Sequence, residues 1–150
     1  MRNDTFEWNE GHFQRPAKEN LIIYELLIRD FLQTHSYETL KDTLDYLQSL
    51  GVNAIELMPV NEFEGNVSWG YNPSFQFAVD KYYGTPIALK SFIKEAHLRG
   101  IAVIMDLVLN HAQNQCPLVQ LYWDSVNNRP AADNPWFNPT QIHPFAFGND

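Results

Sequence analysis

The stretch from Ile101 to His111, reading IAVIMDLVLNH, limits what this chain can fold into more than any other. It is a run of apolar residues broken once, by Asp106, and it ends in the polar pair Asn110 and His111. A strand with one wet face would alternate polar and apolar residues. This run is apolar on both faces, the pattern of a parallel strand covered on both sides. A carboxylate inside it costs free energy unless a cation or a donor meets it. Two readings of Asp106 therefore stand at this point, a satisfied acid in a core strand or a group held for function. The end of the run supports the second. Reactive groups in parallel α/β folds gather at the C-terminal ends of strands, where the pattern puts Asn110 and His111.

The rest of the chain supplies the elements such a strand needs. Residues 1–20 show no period and read as a lead-in. Leu21 to Phe31 reads as a first strand, β-rich at its start, and parity places Glu25 and Arg29 on one side as a structural ion pair. Tyr37, Leu40, Leu44 and Leu47 recur at helical steps, so a helix is expected from Tyr37 to Leu50, with Ser36 as its N-cap and Gly51 as its stop. A second strand runs from Asn53 to Val60 and should end at Pro59, which has no N–H for a ladder. Residues 61–84 read as a long irregular loop, too aromatic for disorder. A second helix starts at Thr85 and Pro86, buries Leu89, Phe92, Ile93 and Ala96, pairs Glu95 with Arg99, and stops at Gly100. The order is β-α-β-α-β. Residues 112–150 carry prolines 117, 130, 135, 139 and 144 and no sustained period, and read as an extended loop region or the start of an inserted domain.

Composition removes several function classes. A net charge of -8 over 150 residues argues against a nucleic-acid surface. No apolar run reaches the roughly 18 residues of a membrane span, so neither nucleic acid nor membrane is an expected partner. Cys116 is the single cysteine, which excludes an intrachain disulfide and reads as a small buried hydrophobe. The segment from Met1 to Trp8 lacks the apolar core of a secretion signal, leaving a cytoplasmic protein or a piece of a longer precursor. Trp69, Tyr71, Trp123, Trp136 and Phe137 fall in loop-like stretches, as satellite core or as stacking faces for pyranose rings. A nucleotide-binding domain would need a glycine-rich turn after the first strand, and Asp30-Phe31-Leu32-Gln33-Thr34-His35 has none. A response-regulator-like domain would need an acidic pair there, and only Asp30 is present.

Four ordered blocks carry a family resemblance. Asp106-Leu107-Val108-Leu109-Asn110-His111 resembles the first conserved region of the alpha-amylase family. Ile55-Glu56-Leu57-Met58-Pro59-Val60 is similar to that family's second barrel strand, and Leu21 to Phe31 to its first. Trp69-Gly70-Tyr71-Asn72-Pro73 followed by Tyr83-Gly84-Thr85-Pro86 resembles the next loop in branching enzymes, pullulanases, isoamylases and trehalohydrolases. The resemblance implies an α/β fold: part of a (β/α)8 TIM barrel, with its first three strands and two helices over residues 21–111 and the start of an inserted domain over 112–150. A full barrel needs roughly 250 residues, so the chain reads as the N-terminal part of a catalytic domain, with an exposed sheet edge. Asn134-Pro135-Trp136-Phe137-Asn138 fits an amylase-like insert.

The activity implied is retaining hydrolysis or transfer at α-1,4- or α-1,6-glucosidic bonds of starch- or glycogen-like glucans, by two carboxyl groups. The resemblance puts the nucleophilic Asp and the acid/base Glu beyond residue 150, so this piece alone is expected to be inactive. It implies that Tyr71 stacks on the transferred sugar, that His111 hydrogen-bonds its primary hydroxyl, and that Asp106 orients an arginine ahead of the nucleophile. Asn110 matches a position that supplies an oxygen to Ca²⁺ in calcium-dependent members, and a loop-anchoring role for it stands beside that one. Trp69 is expected to pack beneath Tyr71. Glu62, Glu64 and Asp80 read as solvated loop acids. The competing class is a non-catalytic carbohydrate-binding or structural α/β piece, and branching or trehalose release are the alternatives within the family.

Overall fold

The computed structural model describes residues 5–9, 11–113 and 115–137. In chain order the elements are β1 (Ile23–Leu26), α1 (Ile28–Phe31), α2 (Tyr37–Leu40), α3 (Leu44–Ser49), β2 (Ala54–Leu57), β3 (Asn61–Phe63), β4 (Pro73–Val79), α4 (Pro86–Leu98), β5 (Ala102–Met105), α5 (Pro117–Gln120), β6 (Trp123–Asp124) and β7 (Arg129–Pro130). They fall into two compact units, residues 1–58 with 81–106, and residues 59–80 with 107–150.

The first unit holds a parallel three-stranded sheet in the order β1-β2-β5. The helical stripe read from the sequence is its core: Tyr37, Leu40, Leu44 and Leu47 are buried with Ile55, Leu57, Phe92 and Ala96. Ser36 caps α2, its hydroxyl accepting from the Thr39 N–H at 3.3 Å, and Thr85 caps α4 by accepting from Ala88 at 3.1 Å. Gly51 and Gly100 take the left-handed φ of 84° and 73° that ends each helical run. Glu95 and Arg99 pair as expected at 2.8 Å, and Asp45 joins the same guanidinium at 2.6 Å. Phe92 is wholly buried. Its replacement by alanine is expected to lower unfolding stability by about 3–5 kcal/mol, read from urea denaturation of the chain.

Several expectations are corrected. The first strand stops at Leu26 and gives way to the single turn α1. Its last rung is made by the Met58 N–H, which donates to the Leu26 carbonyl at 3.0 Å, one residue past the end of β2 at Leu57. Arg29 consequently pairs with Asp30 at 2.6 Å and not with Glu25, and this bond holds the Asp30 carboxyl below its usual range. The helix expected from Tyr37 to Leu50 is broken by a 3-10 turn at Lys41–Thr43, where the Thr43 hydroxyl donates back to the Leu40 carbonyl at 2.7 Å. Ile93 is only half-buried, and Ala88 takes the buried place instead.

β5 also ends early, at Met105, and Val103 to Met105 are half-buried because the strand lies at the sheet's edge. The Asp106 N–H makes a last rung to the Leu57 carbonyl at 3.0 Å. Asp106 thus stands just past the strand and not in its middle. Asn110 and His111 lie further along, in the second unit.

In that unit, part of the stretch read as irregular is an antiparallel hairpin of β3 and β4, with register shifts between them. Asp80 is fully buried, not solvated: its N–H donates to the Val60 carbonyl at 2.8 Å, and its carboxylate accepts from the Phe63 N–H at 3.3 Å. Burying an acid is tolerable only with such donors. Glu62 is half-buried and Glu64 exposed. The tail forms α5 and the small β6–β7 hairpin around a core of Ala112, Cys116, Val119 and Phe137, so Cys116 is the buried hydrophobe expected. Met1 to Asp4, Asn138, Pro139 and Pro144 lie outside the described residues. Among the described residues no helix is long and apolar enough to cross a membrane.

Candidate functional site

The second unit carries a turn-rich loop between β3 and β4 whose backbone is fixed by its own polar groups. The Glu64 N–H donates to the Asn72 carbonyl, and the Asn72 carboxamide returns a bond to the Glu64 carbonyl, both at 3.3 Å. The Ser68 hydroxyl bonds the Asn72 side-chain oxygen and accepts from the Gly70 N–H at 2.9 Å. Gly70 is buried with φ 92°, pressed on Pro59. Such a φ is open to glycine and strained for other residues. Tyr71, the next residue, is 40% exposed.

His111 closes this loop. Its Nε2 lies 2.7 Å from the Tyr71 carbonyl oxygen. A carbonyl can only accept, so Nε2 carries the proton. In the neutral ring Nδ1 is then the acceptor, and the Asn110 carboxamide nitrogen stands 3.5 Å from it. The Gln76 side chain donates to the His111 carbonyl at 3.5 Å, and the Gln113 N–H to the Pro73 carbonyl at 2.7 Å. The segment after β5 is therefore stitched to the hairpin at His111 and at Gln113. The structure brings Tyr71, His111 and Asn110 together in one unit. Asp106, half-buried, belongs to the other.

The His111 bond gives a direct test. Phenylalanine at this position keeps a flat ring but loses the donor, and is expected to cost about 0.5–1.5 kcal/mol. Amide exchange across residues 65–72 should accelerate by about threefold to tenfold, while the first unit's amides keep their rates.

Asn110 meets the ring of its neighbour His111. Among the described residues no group of three or more His, Cys, Asp or Glu side chains gathers. Asn110 offers one hard oxygen of the six to eight that Ca²⁺ takes.

Trp69 departs from expectation. It is 60% exposed and does not pack beneath Tyr71. Of the other loop aromatics, Phe137 is buried, Trp123 packs on the tail core, and Trp136 meets Tyr122 edge-on at 5.4 Å. Reading the sequence also missed β4, although Phe75, Phe77 and Val79 alternate at the strand period. An apolar hollow of about 510 Å³ in the same unit is lined by Asn61, Gln76, Phe77, Leu107, Leu109 and Leu118. Its lining is mostly hydrocarbon, a poor match to a hydroxyl-rich ligand.

The chain is similar to known proteins. A family model described as the alpha amylase catalytic domain matches residues 36–148. A malto-oligosyltrehalose trehalohydrolase of Saccharolobus solfataricus is 42% identical over 106 residues, covering 71% of this chain and 19% of that protein. The chloroplastic isoamylase 1 of Arabidopsis thaliana is 36% identical, covering 73% of this chain and 18% of its own length. Among solved structures, a Salmonella typhimurium protein provisionally assigned as an alpha amylase superposes with a TM-score of 0.81 at 30% identity, over 96% of this chain and 23% of that one. The chain thus spans about a fifth of the length of the curated relatives it matches.

Proposed function

Because the chain belongs to the alpha-amylase family, we propose that it forms one side of the sugar-binding region of a retaining enzyme that cleaves or transfers α-glucosidic bonds in malto-oligosaccharide, starch- or glycogen-like substrates. The observation that carries this reading is the tie between His111 and Tyr71. An aromatic side chain left 40% exposed sits on a loop whose backbone is held at 2.7 Å by a histidine. Holding an aromatic face in place before the ligand arrives reduces the ordering cost of binding.

In this reading Tyr71 stacks on the apolar face of the glycosyl unit that is transferred. His111 presents its ring edge to that sugar's primary hydroxyl while Nε2–H keeps the loop in register. Asp106 fixes an arginine that precedes the nucleophile in the family's fourth strand. The attacking Asp and the proton-donating Glu are assigned to later strands of the (β/α)8 barrel, so these residues supply binding and orientation, and turnover needs the others. Protonation of the leaving oxygen and attack at the anomeric carbon then give a covalent glycosyl-enzyme that water or a second sugar resolves.

Trehalose release is the finer reading, supported by the relative that acts as a malto-oligosyltrehalose trehalohydrolase. The enzyme at its natural length, incubated with malto-oligosyltrehalose, starch and glycogen, distinguishes the readings. Trehalose and a maltooligosaccharide appearing first as the α-anomer is the expected result. Branched or shortened glucan without trehalose would move the protein elsewhere in the family. Release of no sugar from any of the three would count against the reading as a whole.

A further inference from the structure

The loop that carries Tyr71 has a feature the family reading does not use. Val67, Trp69 and Tyr71 are exposed, at 84%, 60% and 40%, while Ser68 between them is half-buried and Gly70 is buried. The loop therefore alternates, its polar and small residues turned in and its apolar ones turned out. The inward side is anchored, since Gly70 N–H donates to the Ser68 hydroxyl and Gly70 itself rests on Pro59. Trp69 is thus kept from collapsing onto the core. An exposed indole on an anchored backbone forfeits the burial energy a tryptophan would otherwise gain, and exposed apolar side chains that are grouped rather than scattered mark binding surfaces. Among the described residues no hydrogen bond or ring contact engages its side chain.

We propose that Trp69 is a second aromatic platform for the glucan, carried beside Tyr71 and engaged by longer chains only. This rests on the proposed role of Tyr71. Two residues of backbone reach at most about 7 Å, the scale of one or two pyranose rings, so the second ring serves a neighbouring sugar. The indole offers a flat apolar face to the sugar ring and one N–H to a hydroxyl. Chain-length preference follows. A maltooligosaccharide long enough to span both rings gains the second contact, and a shorter one does not.

The test is a KM and kcat series from maltose to maltoheptaose with the natural-length enzyme, comparing Trp69→Ala, Trp69→Phe and Tyr71→Ala with the wild type. Trp69→Ala is expected to raise KM for the longer substrates by about threefold to tenfold, to leave the shortest substrates and kcat unchanged, and to melt as the wild type does. Trp69→Phe should restore most of the lost length preference. Equal KM changes at every length, or none, with Tyr71→Ala still impaired, would overturn the second platform alone. If Tyr71→Ala also leaves every constant untouched, the assignment of this loop to sugar binding falls, and the platform with it.

Discussion

Alanine at position 70 is expected to destabilise the second unit by about 3 kcal/mol or more. Gly70 has φ 92°, and a Cβ added there would overlap the Pro59 carbonyl oxygen and stand 2.8 Å from the Pro59 Cβ. The left-handed backbone alone costs an L residue about 1–2 kcal/mol. The overlap adds to it, because its partner is backbone that cannot swing aside as a flexible side chain would. The loop must then lift from Pro59, carrying Trp69 and Tyr71 with it. Urea unfolding should show the loss, and weaker maltooligosaccharide binding should accompany it. A Gly70→Ala protein within about 1 kcal/mol of wild type would mean that the Pro59 contact is not the anchor described.

The second large effect concerns Asp106. Its backbone is held just past β5 by the rung to Leu57. If it orients an arginine, removing it leaves a partly buried cation without its partner. Such losses cost about 3–5 kcal/mol, and if half or more reaches the transition state, kcat falls by about 10- to 10³-fold. Asp106→Ala in the natural-length enzyme should therefore lose kcat with a smaller change in KM, the mark of an interaction that strengthens at the transition state. Asp106→Asn keeps hydrogen bonding without the charge and should fall between. A variant with wild-type kcat would remove the orienting role.

Some of this molecule could be read before any coordinates existed. The stripe of Tyr37, Leu40, Leu44 and Leu47 repeats on the helical period, and burial follows period because one face must leave water. Caps at Ser36 and Thr85 are chemically local, so short sequence windows reveal them. Strand ends were not legible, because a parallel ladder runs only as far as its partner does. β1 ends at Leu26, opposite the end of β2 at Leu57, a residue far away in sequence. The hairpin of β3 and β4 was obscured by its inverted faces: Ser74 is buried while Phe77 is fully exposed, contrary to the usual pattern. Asp80 misled for a similar reason, since nothing in its neighbours announces the amide from Phe63 that makes its burial tolerable.

Within the candidate site, residue types at family spacing pointed to Tyr71, Asp106, Asn110 and His111. The bond from His111 to the Tyr71 carbonyl, across 40 positions of sequence, could not be read that way. Neither could the outward turn of Trp69, which depends on the glycine beside it being pinned.

The central claim is that Tyr71 presents its ring to an α-glucan. Calorimetric titration of the natural-length protein with maltooligosaccharide, wild type against Tyr71→Ala, tests it most directly. The account predicts saturable binding by the wild type and about tenfold weaker binding by the variant, with both melting at the same temperature. Equal heats and equal affinities for the two proteins would contradict it.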